Sequence, residues 1–214
     1  MKQSAEDHLR VRKLYEWEEA RRSEAQYIAG VDEAGRGPMA GPVVAAAVIL
    51  PPRPEIPYIN DSKKLTPRIR ERIFDSITAN SLAFGIGIRS ARFVDEAGIV
   101  QATYSAMKTA VKMLVLKGYE PGLVVVDGFS IPGLDIRQEA VIKGDSKVAS
   151  VACASIIAKV VRDRIMMEFE ELYPGYGFSA HKGYCTKQHM VLLNEKGPSP
   201  IHRRSFQPVQ DILA

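Results

Sequence analysis

Short unbroken apolar runs alternate along this chain with longer stretches whose apolar residues recur at helical spacing, which predicts an α/β domain with a central sheet and helices on its faces. Residues 43–50 (VVAAAVIL) are apolar throughout, the length of a strand buried on both faces and far short of a membrane span. The runs 27–32 (YIAGVD), 82–89 (LAFGIGIR) and 123–127 (LVVVD) predict further strands, with glycines thinning one face of 82–89. The stretch 33–42 (EAGRGPMAGP) reads as a loop, as does the proline-rich 51–57. Thr66-Pro67 offers an N-cap and an N1 proline for a helix over 67–79. A second helical pattern covers 92–117 and stops at Gly118. A third runs from 147 to 171, and its small residues Ala149, Ala152, Ala154, Ser155 and Ala158 permit close approach to a sheet. Residues 4–24 read as one charged helix with Leu9, Val11, Leu14, Tyr15 and Trp17 as sparse anchors. Its expected place is packed and solvated on a globular body, with a substrate or partner contact as the alternative. From Tyr173 the periodicity weakens among Gly, Tyr, Lys and His, so the expected division is an extension over 1–26 and one domain over 27–214.

Composition narrows this picture by exclusion. With 46% hydrophobic and 25% charged residues the chain is neither disordered nor collagenous, and 214 residues bury enough core to fold without a disulfide or metal. Residues 1–26 are dense in Lys, Arg and Glu and lack the apolar stretch of a signal peptide, so the cytoplasm is the expected compartment. Lys and Arg number 29 against 25 Asp and Glu, a net charge of +4 that permits a polyanionic partner without requiring one. Cys153 and Cys185 have no metal spacing and read as free thiols.

The candidate chemistry lies where apolar runs end. Asp32 and Glu33 close the first run, Asp127 closes LVVVD, and Asp145 stands before the third helix. One acid at a strand end is ordinarily a cap. Several that converge would repel one another unless protons or hard divalent cations intervene, and an all-oxygen donor set suits Mg²⁺ or Mn²⁺ rather than zinc or copper. Gly35-Arg36-Gly37 follows directly; glycines let a backbone approach a ligand, and an arginine can fork onto a phosphate, although such a tripeptide alone is most often a turn. Asp61-Ser62-Lys63-Lys64 and Asp145-Ser146-Lys147 echo each other before predicted helices, which suits either phosphate binding or capping. No nucleophile elbow, P-loop or HExxH spacing occurs, and His8, His181, His189 and His202 are expected at the surface or near phosphates rather than on zinc.

Taken in order, GVDEAGRGPMAGPVVAAAVIL, DSKKL, VVVDGF, KGDSKVASVACASIIAKVVRDR and YPGYGFSAHKGYCTKQH resemble the type 2 ribonuclease H family, specifically its ribonuclease HII branch, over about residues 27–210. Arg36 and an aspartate at 145 favour that branch over ribonuclease HIII. The resemblance implies a ribonuclease H-like core with a mixed sheet flanked by helices, a C-terminal helical region and an added N-terminal helix. It implies hydrolysis of RNA in RNA–DNA hybrids and cutting 5′ to single ribonucleotides in duplex DNA, leaving 5′-phosphate and 3′-hydroxyl ends. The acids carried over are Asp32, Glu33, Asp127 and Asp145, as catalytic residues and as ligands of two Mn²⁺ or Mg²⁺ ions. Asp32 would bridge, Glu33 and Asp127 would lie nearer one ion, and Asp145 nearer the other. Gly35, Arg36 and Gly37 would read the 2′-hydroxyl, Lys63, Lys64, Ser146 and Lys147 would hold flanking phosphates, and Tyr184 would stack on a sugar beside the ribonucleotide. The other rings of that region, Tyr173, Tyr176 and Phe178, are expected to pack. The expected state is a monomer without a membrane partner, and the tail SFQPVQDILA is either packed on the body or a weak sliding-clamp contact. The competing readings are a hybrid-binding protein without catalysis, which retention of every acid disfavours, and a two-metal nuclease acting on DNA alone.

Overall fold

A computed structural model describes residues 5–52, 56, 59, 62 and 65–214. Among these, five strands form one mixed sheet in the order β3-β2-β1-β4-β5. They are β1 (Ile28–Ala34), β2 (Val43–Ile49), β3 (Ala83–Arg89), β4 (Leu123–Asp127) and β5 (Gln138–Val141). The first three pair antiparallel, while β4 runs parallel to both β1 and β5. The helices are α1 (Ala5–Glu19), α2 (Pro67–Asn80), α3 (Ala91–Ala97), α4 (Ile99–Leu116), α5 (Ala149–Leu172), α6 (Phe178–His181), α7 (Lys187–Lys196) and α8 (Gln207–Leu213).

Side chains alternate across β2, so Val44, Ala46 and Val48 pack with α2 and α5, while Ala45, Ala47 and Ile49 pack with α4. The sheet is therefore covered on both faces, as the apolar run predicts. Two glycines set how near the helices come. A Cβ on Gly30 of β1 would lie 2.2 Å from the backbone of Ser150 and Val151, so α5 rests directly on β1. A Cβ on Gly87 of β3 would lie 2.0 Å from the Ala106 carbonyl of α4. The small-residue face of α5 and the glycine-thinned face of β3 thus serve the same purpose on opposite sides.

Some boundaries differ from the sequence reading. The helical pattern over 92–117 is two helices, because Gly98 adopts φ 81 and ends α3 before α4 begins. The N-terminal helix stops at Glu19 and continues as turns, and Leu9 is exposed rather than an anchor. Val11 and Leu14 are buried, and Trp17 is partly buried beneath the Arg21 guanidinium, 3.6 Å from its ring. The strongest tie of α1 is polar. Glu18, 1% exposed, accepts from the Ser150 N–H at 2.7 Å and so caps the first turn of α5 from across the chain. Burial pushes its carboxyl above the usual range, opposed by Ser150 and by Arg22 at 3.8 Å.

The histidines correct the expectation of surface placement: only His8 is exposed, while His181, His189 and His202 form a buried cluster around Phe178. Their hydrogen bonds fix their tautomers. His189 Nδ1 meets the Tyr184 carbonyl at 2.9 Å and must donate. Neutral His189 then accepts at Nε2 from His202 Nε2 at 3.0 Å, which leaves His202 Nδ1 to accept from the Ser199 N–H at 3.0 Å. His181 donates to the Tyr176 carbonyl and accepts from the Gly183 N–H. Burial pushes His189 and His202 down to about 4, and the neighbouring histidines push the same way. Tyr173 and Tyr176 pack against this region as expected. In the tail, Val209 is buried against Met39 and Leu193, with Phe206 and Ile212 beside them. Cys153 is buried and Cys185 exposed, both as free thiols.

Two stability predictions follow from these polar contacts. Glu18→Ala leaves a helix N–H without its partner and should cost about 1–3 kcal/mol, whereas Glu18→Gln keeps an acceptor and should cost less; denaturant midpoints that match wild type for Glu18→Ala would rule out the cap. The unfolded chain protonates its histidines near 6.5, but the native state resists until about 4. The unfolded state therefore binds more protons across that window, and stability should fall as pH drops from about 6.5 to about 4, by roughly 3 kcal/mol or less per histidine. Melting curves across this range should be flatter for His202→Gln; an unchanged slope would mean that acid sensitivity arises elsewhere.

Candidate active site

β1 and β4 are parallel neighbours with Val31 opposite Val126, so the residues that follow, Asp32 and Asp127, come side by side where the parallel pairing ends. Each is the first acid after a run of buried residues, and hydrophobic pairing brings the two charges together. Asp32 shares the α5 face of β1 with Gly30. It is 5% exposed; burial pushes its carboxyl well above the usual range, and the charges of Glu33 and Asp127 push it further. The Ser155 hydroxyl and the Glu33 N–H, at 2.7 Å, act against this.

Ser155 also meets the Ser62 hydroxyl at 2.9 Å, so a buried chain of oxygens joins Asp32 through α5 to the segment around Ser62. Arg70 donates to the Ser62 and Leu65 carbonyls at 2.9 and 2.5 Å and steadies that segment. Of the phosphate candidates there, Lys63 and Lys64 lie outside the described residues, as does Asp61.

Asp127 accepts from the Gly144 N–H at 2.7 Å and so anchors the turn that carries Asp145. That turn is a separate 3-10 helix, Gly144–Ser146, entered through Lys143 in the left-handed region at φ 56, a strained conformation for a residue with a Cβ. This corrects the reading of Asp145-Ser146-Lys147 as the start of the long helix. The first turn of α5 lies beyond it, and Glu18 already occupies the Ser150 N–H there. Ser146 turns its hydroxyl to the Lys143 carbonyl at 2.8 Å, and Lys147 is exposed. Asp145 is 6% exposed at the same end of the sheet.

Glu33 lies 3.5 Å from Arg36, whose guanidinium also sits 5.1 Å from the Phe129 ring, so this arginine is engaged within the site. Gly35 adopts φ 98, and a Cβ there would lie 2.2 Å from Arg162 Nε; only glycine fits. A Cβ on Gly37 would meet Tyr184 alone, at 3.9 Å, so the glycine loop faces the tyrosine directly. Tyr184 is 46% exposed and follows Lys182, itself in the left-handed region, and Gly183. Lys159 Nζ lies 5.9 Å from the Tyr184 ring centre and 2.7 Å from Asp163, with burial pushing the lysine down.

Three residues of this constellation are absent from the sequence reading. Lys159 and Arg162 lie one and two turns beyond Ser155 on α5, and Arg203 lies near the C-terminus. Cationic side chains that follow the small and apolar first turns of the helix are the signal for the first two. Arg203 gives no such signal, because its partners are distant backbone carbonyls.

The donor set tests which cation belongs here. Every candidate ligand is a carboxylate oxygen, and Asp32, Glu33 and Asp127 are electrostatically coupled in a buried setting that a hard divalent cation would relieve. Among the described residues, no three His, Cys, Asp or Glu side chains already stand in the close grouping of a formed metal cage. The chemistry of the residues fits Mg²⁺ or Mn²⁺ and excludes a thiolate or imidazole site.

The profile described as Ribonuclease HII matches residues 29–209. The chain is 53% identical over 186 residues to a ribonuclease HII of Geotalea uraniireducens, covering 87% of this chain and 85% of that protein. Among solved structures it resembles ribonuclease H2 of Pyrococcus horikoshii, with TM-score 0.71 and 26% identity over 87% of this chain and 96% of that one. It also resembles the ribonuclease HII solved in a PCNA complex from Archaeoglobus fulgidus, with TM-score 0.65 and 26% identity over 83% and 92% of the two chains. A match through all but the N-terminal helix and the last few residues, at half identity to curated relatives, shows that this chain belongs to the ribonuclease HII family of metal-dependent endoribonucleases that act on RNA–DNA hybrids.

Proposed function

We propose that this protein hydrolyses the RNA strand of hybrids and also cuts 5′ to single ribonucleotides embedded in duplex DNA, leaving 5′-phosphate and 3′-hydroxyl ends. The observation that carries this reading is the approach of Gly37 to Tyr184, where a Cβ would lie 3.9 Å from the ring, on a loop that follows directly from the strand carrying Asp32 beside Asp127. A loop able to meet a ribose and a ring able to stack on the next sugar thus adjoin a set of acids suited to phosphodiester cleavage. Asp32, Glu33, Asp127 and Asp145 would hold two Mg²⁺ or Mn²⁺ ions, which supply an activated water and charge stabilisation at the leaving 3′ oxygen.

The chain's own residues orient the substrate. Backbone groups of Gly35, Arg36 and Gly37 meet the 2′-hydroxyl, the group that separates RNA from DNA. Tyr184 packs on the sugar that follows, where a 2′-hydroxyl would crowd the ring. Lys63, Lys64, Ser146 and Lys147 hold phosphates on either side. Arg36, tied to Glu33, orders the loop as well as facing the backbone. Residues 1–26 form an extension to a catalytic domain over 27–214, and the protein acts as a cytoplasmic monomer. A sliding-clamp contact at the tail would have to use its exposed groups, Leu213 among them, since Val209 is consumed in packing.

Asp32→Asn should reduce cleavage about a thousandfold or more, several kcal/mol of transition-state stabilisation. It should keep or raise thermal stability in the absence of divalent ions, because one buried and repelled charge is gone. Added Mn²⁺ or Mg²⁺ should raise the melting temperature of wild type by linkage to the native state, and an equal rise in Asp32→Asn would place the ion elsewhere. An all-DNA duplex should remain uncut, which separates this reading from a general nuclease.

Tyr184→Ala should lower kcat/KM on a single embedded ribonucleotide about tenfold more than on a long hybrid, the worth of a stacking contact of roughly 1–3 kcal/mol. Tyr184→Phe should keep most of that preference. Equal losses on the two substrates would remove Tyr184 from junction reading.

A further inference from the structure

Two buried arginines lie beneath the glycine loop, and neither forms an ion pair among the described residues. Both spend their donors on backbone carbonyls. Arg203 Nη2 donates to the Gly35 and Gly41 carbonyls at 2.6 and 2.9 Å. Its Nη1 donates to those of Arg36 and Pro38 at 3.0 and 2.6 Å, and its Nε to Gly41 at 3.1 Å. Arg162 holds the Ala40, Pro42 and Lys182 carbonyls, each at 3.0 Å, and so ties the same loop to the segment leading into Tyr184.

In a planar trans peptide the carbonyl of one residue and the N–H of the next point in opposite directions. A carbonyl held inward on a guanidinium therefore turns the following N–H outward. The Pro38 peptide demonstrates this within the loop: its carbonyl is held by Arg203, and the next N–H, of Met39, reaches out to the Gly183 carbonyl at 2.9 Å. The Gly35 and Arg36 carbonyls are held in the same way, which turns out the N–H groups of Arg36 and Gly37. Those two donors have no partner among the described residues, and Gly37 is the residue that faces Tyr184. An outward pair of amide donors beside an aromatic ring suits a hydroxyl oxygen on a sugar.

We propose that Arg203 is a positioning residue for ribose recognition, one that never touches substrate but aims the Arg36 and Gly37 N–H groups at the 2′-oxygen by holding the carbonyls behind them. This rests on the reading that the glycine loop meets the 2′-hydroxyl. A lysine at 203 would keep the positive charge but, lacking the planar fork, could not span four carbonyls.

The test compares full-length wild type and Arg203→Lys by fluorescence anisotropy without divalent ions, so that nothing is cut, on one duplex with a single ribonucleotide and its all-DNA counterpart. Wild type should prefer the ribonucleotide duplex. Arg203→Lys should lose about tenfold of that preference, about 1.4 kcal/mol, while its affinity for the all-DNA duplex stays within about twofold. Preference kept in a folded Arg203→Lys protein, or affinity lost equally for both duplexes, overturns the proposal. Amide NMR of the wild type supplies a second readout that needs no variant. The Arg36 and Gly37 amides should shift with the ribonucleotide duplex and not with the all-DNA one, and the Arg203 Nη protons should exchange slowly. Amides that respond above a freely exchanging guanidinium would overturn the role of Arg203 alone. Amides that ignore the ribonucleotide would overturn the underlying reading of the loop.

Discussion

The backbone contact between Gly30 and the first turn of α5 is the constraint on which the site depends. With no side chain between them, the helix lies against the central strand, and each later turn of α5 meets a different part of the site. Ser150 receives Glu18, Ser155 meets Asp32 and Ser62, Lys159 stands by the Tyr184 ring, and Arg162 holds the loop carbonyls. Met166 then fills the space that Gly41 and Gly183 leave open. One unbroken helix thus sets the spacing between the acids and the loop and tyrosine that adjoin them. A side chain at position 30 would move all of these together, because nothing between the two backbones could absorb the displacement.

Charge is distributed across this frame by depth. The acids gather where the parallel pairing ends, so Asp32 is crowded both by its sequence neighbour Glu33 and, through the pairing of β1 and β4, by Asp127. The buried cations lie behind the glycine loop and are answered by carbonyl dipoles instead of carboxylates. Burial pulls the Arg203 guanidinium down to about 9, yet it remains charged at neutral pH. Carbonyl partners carry no net charge, and Asp95 offsets the guanidinium only from beyond ion-pair distance, so the loop above it sits in a potential favourable to phosphate.

Much of this is legible in the sequence. The apolar runs marked the strands because a sheet covered on both faces needs continuous hydrophobic residues, and the acids stood out because they interrupt those runs. Arg36 stands out between two glycines directly after the acids, whereas Tyr184 is marked by motif order alone. What escaped was set by tertiary context. Gly98 sits in a good helical pattern, and only its positive φ divides it. His189 and His202 look like surface residues until their tautomers are seen to close a buried relay onto the Tyr184 carbonyl. Asp145 appeared to open the long helix because the first-turn N–H of that helix is capped by Glu18, 132 residues away, a partner no local window can reveal. Arg203 escaped because a guanidinium that binds main-chain oxygens leaves no complementary charge elsewhere in the sequence.

That distant cap also bears on how the chain is made. At the usual pace of synthesis, about 5–20 residues per second, the 132 residues between Glu18 and Ser150 occupy roughly 7–26 seconds. For all of that interval the docking site of the first helix has not yet been translated. Helix α1 carries charge on nearly every turn and only a few apolar residues, so it can wait in water without inviting premature association. Its sparse hydrophobicity, a poor recommendation for a packing element, suits a segment synthesised well before the helix on which it docks.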